Sequence, residues 1–361
     1  MRSLRVLLAA NDGFSAGHVA RVVAVARGLH RVASKMAIAV EALLLTTSEA
    51  SALYDDPSIA VVRLPSPKNA QRAKMPDAER RRLVRALVDS AAESFAPDLL
   101  VIDTFPKGPH GELEGLLRSP AKRALLRRDV RADRAQDDVL HAGIERFDVV
   151  VLADDPAAIE KPQGARNCVR VPPITMYEPE DALSRAAARS ELGIPHDARA
   201  ILVAAGGGGD AGGNETARAI AERVAKLEPG AHVVLAEGPL RERSAAALPP
   251  SVRAVSVTPL SRYLAAFDCA FSAAGYNSAH ELAKARVPTA LFAESRPFDD
   301  QRARAERFER AGLAHVLDSA DGETIPRALA WKPPSNAEAV GMQGADSAAE
   351  ALIALVAGGG E

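Results

Sequence analysis

Apolar runs of strand length alternate with longer amphipathic segments through most of this chain. Residues 6–10 are continuously apolar after Leu4-Arg5 and stop at Asn11-Asp12, which predicts a buried strand over 4–10. Over 17–31, Val19, Val22, Val23, Ala26 and Leu29 share one helical face. Strands are expected at 42–47, 60–64, 99–103, 124–129 and 148–153, with a charge-faced helix at 78–95. The prolines and charges of 172–195 break the alternation, with a short helix at 181–192. The pattern then restarts: strands at 200–205, 232–236, 252–257, 269–272 and 289–292, helices at 214–226, 261–266, 277–285 and 301–311. After Trp331 the chain is rich in Pro, Gly and Ala and ends in a helix near 347–356. There is no internal repeat. Strands alternating with helices in both halves imply two α/β, doubly wound parallel-sheet domains. The boundaries read as 1–174, a linker at 175–195, a second domain at 196–335 and a tail with a helix at 336–361.

Length agrees with two domains, since 361 residues exceed one ordinary core. The formal net charge is -2 and only 4% of residues are aromatic. That argues against a nucleic-acid binder, which would be basic or rich in stacking rings. An anionic ligand must therefore be held locally. Cys168 and Cys269 have neither metal-ligand spacing nor a CxxC motif, so two reduced core thiols are expected. The N-terminal apolar run is short for a signal peptide, and no stretch reaches the roughly 20 apolar residues of a membrane span. The expectation is a soluble cytoplasmic protein.

In doubly wound folds, ligands meet the loops that leave the carboxyl ends of strands. Four such loops carry chemistry. The first runs from Asn11 to His18. Its glycines permit close backbone approach, and Gly17 opens the helix where free amides favour anions. His18 stands in the first helical turn, where an imidazole can accept a proton from a hydroxyl; a solvated helix-start histidine is the plain alternative. Gly13-Phe14-Ser15-Ala16-Gly17 also fits the nucleophile-elbow pattern. In that fold an earlier strand supplies part of the oxyanion hole, and here only one strand precedes Ser15. Ser15 is therefore read as a loop hydroxyl for backbone or ligand.

The second loop, 206–213, holds six glycines in eight residues. Gly206, Gly207, Gly208 and Gly209 form a backbone cradle for phosphate. Gly207, Gly209 and Gly212 also satisfy G-x-G-x-x-G, with Glu237 after the next strand where a dinucleotide fold places its ribose acid. The dinucleotide reading stays open at this point. The third loop, 267–278, leads into a helix carrying Glu281. The small residues from Ser272 to Gly275 clear space before Tyr276, Asn277 and Ser278 can cap the helix or bind phosphate oxygens. Glu281 can accept two ribose hydroxyls, or it is an ordinary acid near a helix start. In the fourth loop Arg296 can pair with phosphate, and Asp300 and Gln301 can bind sugar hydroxyls or simply cap a helix.

Together these stretches resemble the C-terminal domain of the MurG-type glycosyltransferases of family 28. The likeness rests on residues 272–283, on Val287-Pro288-Thr289-Ala290-Leu291-Phe292, on Asp300-Gln301 and on Ala311-Gly312-Leu313, with Gly275, Glu281, Pro288 and Gln301 in the family's order. It extends to Gly17-His18 and Gly206 to Gly209. Asp103-Thr104-Phe105-Pro106 and Gly111-Glu112-Leu113 resemble a bacterial branch of predicted glycosyltransferases more than MurG itself. Two features depart from the MurG pattern: a first loop with fewer glycines, and seven basic residues between Arg118 and Arg134, including Arg127 and Arg128.

The resemblance implies a GT-B fold, two Rossmann-like domains facing a cleft. It implies a nucleoside diphosphate sugar, UDP-linked, in the C-terminal domain and a hydroxyl acceptor in the N-terminal one. Glu281 would hold ribose; Gly206 to Gly209 and Gly275 to Ser278 would face the diphosphate; Asp300 and Gln301 would face the sugar. His18 or Asp103 would be the base, with Gly17, Ser15 and Arg128 on the acceptor side. The scheme needs no cofactor and no metal, since no D-x-D motif occurs. The basic segment is either a solvated face or a contact for an anionic acceptor; a lipid acceptor would bring the chain to a membrane surface. Other readings on this fold are a nucleotide-sugar hydrolase or epimerase, a dinucleotide oxidoreductase, and a nucleotide-sugar sensor without turnover.

Overall fold

A computed structural model describes residues 3–11, 16–155, 159–209, 211–241, 248–318, 324–337 and 340–358. The chain forms two compact units, one of Met1–Ile174 with Gln343–Glu361 and one of Thr175–Met342.

The first unit is built on seven strands: β1 (Leu4–Ala10), β2 (Val40–Thr46), β3 (Ile59–Arg63), β4 (Leu99–Asp103), β5 (Lys122–Arg127), β6 (Val149–Ala153) and β7 (Cys168–Val171). All pair in parallel, in the order β3-β2-β1-β4-β5-β6-β7. The central strands read as unbroken apolar runs because helices cover both faces of a parallel sheet. All five residues of β4 are buried accordingly. The connecting helices are α1 (Gly17–Lys35), α2 (Pro67–Arg72), α3 (Asp77–Phe95) and α4 (Asp138–His141). The apolar face expected on α1 is buried, Val19, Val22, Val23, Ala26 and Leu29 among it.

The second unit repeats the plan with β8 (Ala200–Ala204), β9 (His232–Ala236), β10 (Val252–Val255), β11 (Cys269–Ala273), β12 (Thr289–Phe292) and β13 (His315–Val316). These are parallel in the order β10-β9-β8-β11-β12-β13. Its helices are α5 (Arg185–Leu192), α6 (Ala211–Leu227), α7 (Tyr276–Lys284), α8 (Gln301–Arg310) and α9 (Thr324–Ala330). Each sheet reverses its winding beside its first strand, at β1/β4 and at β8/β11. Loops leaving those pairs part to opposite faces and open a crevice.

Three segments differ from the sequence reading. Residues 175–195 are not a free linker. Ser184 accepts from Ala187 N to start α5, Gly193 ends it at φ 63°, and Ala188 and Leu192 pack with Leu202 and Phe267 in the second core. The short helix expected at 181–192 is α5, and what the composition did not show is its packing into the second core. The helix expected near 347–356 in the C-terminal tail is α10 (Gly344–Ala357), which belongs to the first unit and lies across α1. A Cβ on Gly28 would stand 2.6 Å from the Ala345 carbonyl oxygen, so glycine permits the close crossing, and Arg31 pairs with Asp346 at 2.5 Å. Finally, the short outer strands β7 and β13 escaped the reading because half-exposed edges carry little apolar signal. No helix among the described residues is long and apolar enough to cross a membrane.

Candidate active site

Two clusters of functional side chains form, one at the carboxyl edge of each sheet. In the first unit, α1 starts seven positions after the end of β1 and turns His18 toward the last residue of β4, Asp103. His18 Nδ1 lies 2.5 Å from Asp103 Oδ2. Arg21, one turn further along α1, grips the same carboxylate with two N–H groups, Nε to Oδ1 at 2.6 Å and Nη2 to Oδ2 at 2.7 Å. Thr104 donates its hydroxyl to Asp103 Oδ2 at 3.0 Å and accepts from Arg21 Nη2 at 3.2 Å. Asp103 is enclosed, and burial by itself would raise its pKa. The charge of Arg21, the hydrogen bond from His18 and their combined field outweigh that and hold the carboxyl well below the usual aspartate range. Asp103 is therefore a fixed anion, which suits it to orient an imidazole rather than to take a proton. The Phe105 ring packs 5.7 Å from the imidazole.

Glu112 reinforces the edge. Its carboxylate accepts from Asn11 Nδ2 at 2.6 Å and from His110 N at 2.7 Å, tying the exit of β1 to the loop after β4. Gly17 is the first residue of α1. Ser15 and most of the elbow-like motif lie outside the described residues. Arg128 follows β5, partly buried, and donates to the Asp129 carbonyl.

In the second unit the loops that the sequence singled out converge. Gly206 and Gly208 both take left-handed backbone, at φ 78° and 77°, so the turn after β8 requires glycine there. A Cβ on Gly206 would sit 3.8 Å from Ser278 Oγ, and one on Gly275 would sit 4.0 Å from Gln301 Nε2. The glycine turn thus abuts the start of α7, which abuts the start of α8. Gly238 packs on the same turn, where a Cβ would fall 2.2 Å from the Gly206 carbonyl oxygen. Gly207 is locked from the same side by Leu240 N donating to its carbonyl at 3.0 Å. Gly209 is exposed at the end of the turn. Residues 211–213, read as loop, are already the first turn of α6.

Several individual assignments change. Ser272 is enclosed in β11 and donates to the Ala273 carbonyl, so its hydroxyl serves the strand and not a ligand. Tyr276 is buried between α7 and α8, its ring 4.5 Å from His280 and under the Arg304 guanidinium at 5.7 Å, so it is a packing residue. Asp300 caps α8 by accepting from Ala303 N at 3.0 Å. Gln301 is buried with Oε1 accepting from Glu294 N at 3.0 Å, which leaves its amide end as the group toward Gly275. Arg296 is partly buried in the loop before α8, and Asn277 and Ser278 stand in the first turn of α7.

Glu281, on the second turn of α7, accepts from Met176 N at 3.2 Å. Burial pushes its pKa up to about 7, against the opposing pull of the Met176 N–H and of Lys284. Lys284 is itself buried and pushed down to about 8, with Glu281 and Glu178 working the other way. Its ammonium donates to Thr175 Oγ1 and to the Met342 carbonyl, both at 3.2 Å. The acid of the dinucleotide reading, Glu237, is paired with Arg241 at 2.9 Å.

Sequence reasoning passed over Arg21, Thr104 and Lys284. Arg21 left a trace: it is a cation inside the Val19–Val22–Val23 face of α1, three residues after His18. Lys284 left none, because its partners Thr175 and Met342 are remote in the chain.

No family model matches this chain, and no curated protein matches it at a significant level. Solved structures do. The calicheamicin glycosyltransferase CalG4 superposes with a TM-score of 0.62 at 18% identity, covering 100% of both chains. The glycotransferase of kitacinnamycin gives 0.60 at 16% identity, covering 100% of this chain and 96% of the other. The spinosyn rhamnosyltransferase SpnG, complexed with thymidine diphosphate, gives 0.54 at 17% identity over 98% and 96%. The two parallel-sheet, Rossmann-like units are those of the GT-B architecture, and GT-B is the fold of this chain.

Proposed function

We propose that this chain is a glycosyltransferase that moves a sugar from a nucleoside diphosphate, UDP in the first instance, to an acceptor hydroxyl with inversion. The observation that carries the reading is the convergence of the Gly206–Gly208 turn with the starts of α7 and α8. Left-handed glycines and helix N-termini gathered in one place favour a diphosphate and the charge it gains on leaving. Glu281 stands on the same helix for the ribose, and Asn277, Ser278, Arg296, Asp300 and Gln301 complete the donor side.

In the first unit, His18 Nε2 takes the acceptor's proton. The acceptor oxygen bonds to the anomeric carbon as that carbon's bond to the diphosphate oxygen breaks, and the electron pair leaves with the diphosphate. Asp103 holds the imidazole in orientation and stabilises its charged form, and Arg21 keeps Asp103 ionised. Only His18 of the two base candidates retains a proton-accepting role in this scheme. The MurG-like branch and the UDP base rest on the sequence resemblance. The thymidine diphosphate in the SpnG complex makes dTDP the first alternative base. The Glu237–Arg241 pair counts against a dinucleotide ribose at that acid.

Thermal shift with UDP, dTDP, GDP, their sugars and NAD tests the reading, because a ligand that binds the native state raises the melting temperature. Stabilisation by a nucleoside diphosphate and its sugar is expected. Stabilisation by NAD alone would defeat the proposal. Full-rate release of the diphosphate without acceptor would turn it toward a hydrolase.

A further inference from the structure

Arg127 is the last residue of β5, beside β4, and is buried. Its Nη1 donates to the Thr104 carbonyl at 3.2 Å and to the Leu140 carbonyl at 3.4 Å. Both acceptors are neutral. Nε and Nη2 make no hydrogen bond to the described residues, and no described carboxylate forms an ion pair with this guanidinium. Asp103 acts on it favourably through space, but that carboxylate already serves Arg21 and His18. Asp129 also favours its charge and Arg128 opposes it, while burial weighs most. The sum leaves the guanidinium pushed down to about 10.

A buried charge without a counter-ion is costly to a fold, commonly several kcal/mol. One structural duty is visible. Thr104 holds a left-handed backbone at φ 60°, and Arg127 braces its carbonyl while the Thr104 hydroxyl supports Asp103. That duty uses one of three nitrogens and needs no full charge. The remaining fork lies at the carboxyl edge of the sheet, in the same hydrogen-bonded cluster as His18 and Asp103. A guanidinium fork matches a planar carboxylate or a phosphate by parallel hydrogen bonds.

We propose that Arg127 receives an oxyanion, a carboxylate or phosphate carried by the acceptor, and so sets the acceptor hydroxyl against His18. This rests on the glycosyltransferase reading and narrows the acceptor to anionic hydroxyl compounds. Arg128, next in the chain, is placed to add positive field.

The test offers acceptors in matched pairs, such as 4-hydroxybenzoate with 4-hydroxybenzamide and a sugar phosphate with its free sugar. Diphosphate release is followed for the wild type, Arg127→Gln and Arg127→Lys. The anionic member should be favoured at least about tenfold in kcat/KM. Arg127→Gln should erase that preference through the KM of the anionic member, with any loss of kcat shared by both members, and Arg127→Lys should keep part of it. A brace alone would do no more than lower turnover of both members alike, and that outcome overturns the proposal. So does a preference that survives Arg127→Gln. Calorimetry with 4-hydroxybenzoate removes the dependence on turnover: binding to the wild type and not to Arg127→Gln is expected, and binding to neither, or equally to both, overturns it. Loss of the donor reading would appear separately, as no thermal shift with any nucleoside diphosphate.

Discussion

His18 Nδ1 and Asp103 Oδ2 stand 2.5 Å apart although 85 positions separate them in the chain. One residue opens a helix and the other closes a strand, and the parallel pairing of β1 with β4 brings both to one edge. The arrangement assigns distinct work to the pair. His18→Ala should lower kcat by about 10²-fold while leaving nucleoside diphosphate affinity unchanged. Steady-state kinetics beside a binding isotherm check this, and undiminished turnover would remove His18 from the mechanism.

Arg21 has a different signature. Replacing it with Met leaves Asp103 enclosed without its main counter-charge, which should cost about 3–5 kcal/mol in urea unfolding. Adding Asp103→Asn to that variant should restore part of the loss, since the stranded charge is then gone. The folded Asp103 pKa is depressed below the unfolded value, so this group's stabilisation is complete above the ordinary aspartate pKa of roughly 3.9 and fades only as pH falls through the lower folded value.

For Glu281 the sign is opposite. Its folded pKa of about 7 lies above the reference 4.5, so the native state holds a proton that the unfolded chain has released. Its contribution to stability is therefore complete below 4.5 and declines as pH rises toward 7. If ribose hydroxyls donate to the carboxylate, donor affinity should rise as pH passes through about 7. Lys284→Met removes the nearest opposite charge and should move that rise to higher pH. Glu281→Gln should abolish it. Donor titrations across this range decide, and a flat profile in the wild type would contradict the ribose role.

Gly238 supplies a steric test. Its Cβ position lies 2.2 Å from the Gly206 carbonyl oxygen, and backbone cannot swing aside as a side chain can. Gly238→Ala should destabilise the second unit by about 1–3 kcal/mol and weaken donor binding by displacing the glycine turn. Equal donor affinity in that variant would show that the turn does not touch the ligand.

Legibility in the sequence followed the range of the interactions. The strands Leu4–Ala10, Leu99–Asp103, His232–Ala236 and Thr289–Phe292 matched their apolar runs, because a strand covered on both faces is apolar along most of its length. The glycine turn and the starts of α7 and α8 were legible as short-range backbone chemistry. Ser272 and Tyr276 were misjudged because adjacency to a loop does not say which way a side chain points. Ser272 faces into its strand's surroundings and Tyr276 into the α7–α8 packing.

What the chain's own order of residues determined, then, was two rounds of strand and helix and the loops that leave the carboxyl ends of the strands. The pattern of burial and the freedom of glycine act between near neighbours, and both can be read along a line. What only the tertiary structure decided was partnership: Asp103 with Arg21, Lys284 with Thr175 and Met342, α10 with α1 instead of the second unit. Those pairings depend on strand order and helix crossing, which bring distant residues to one point, and on burial, which turns such a meeting into a fixed charge.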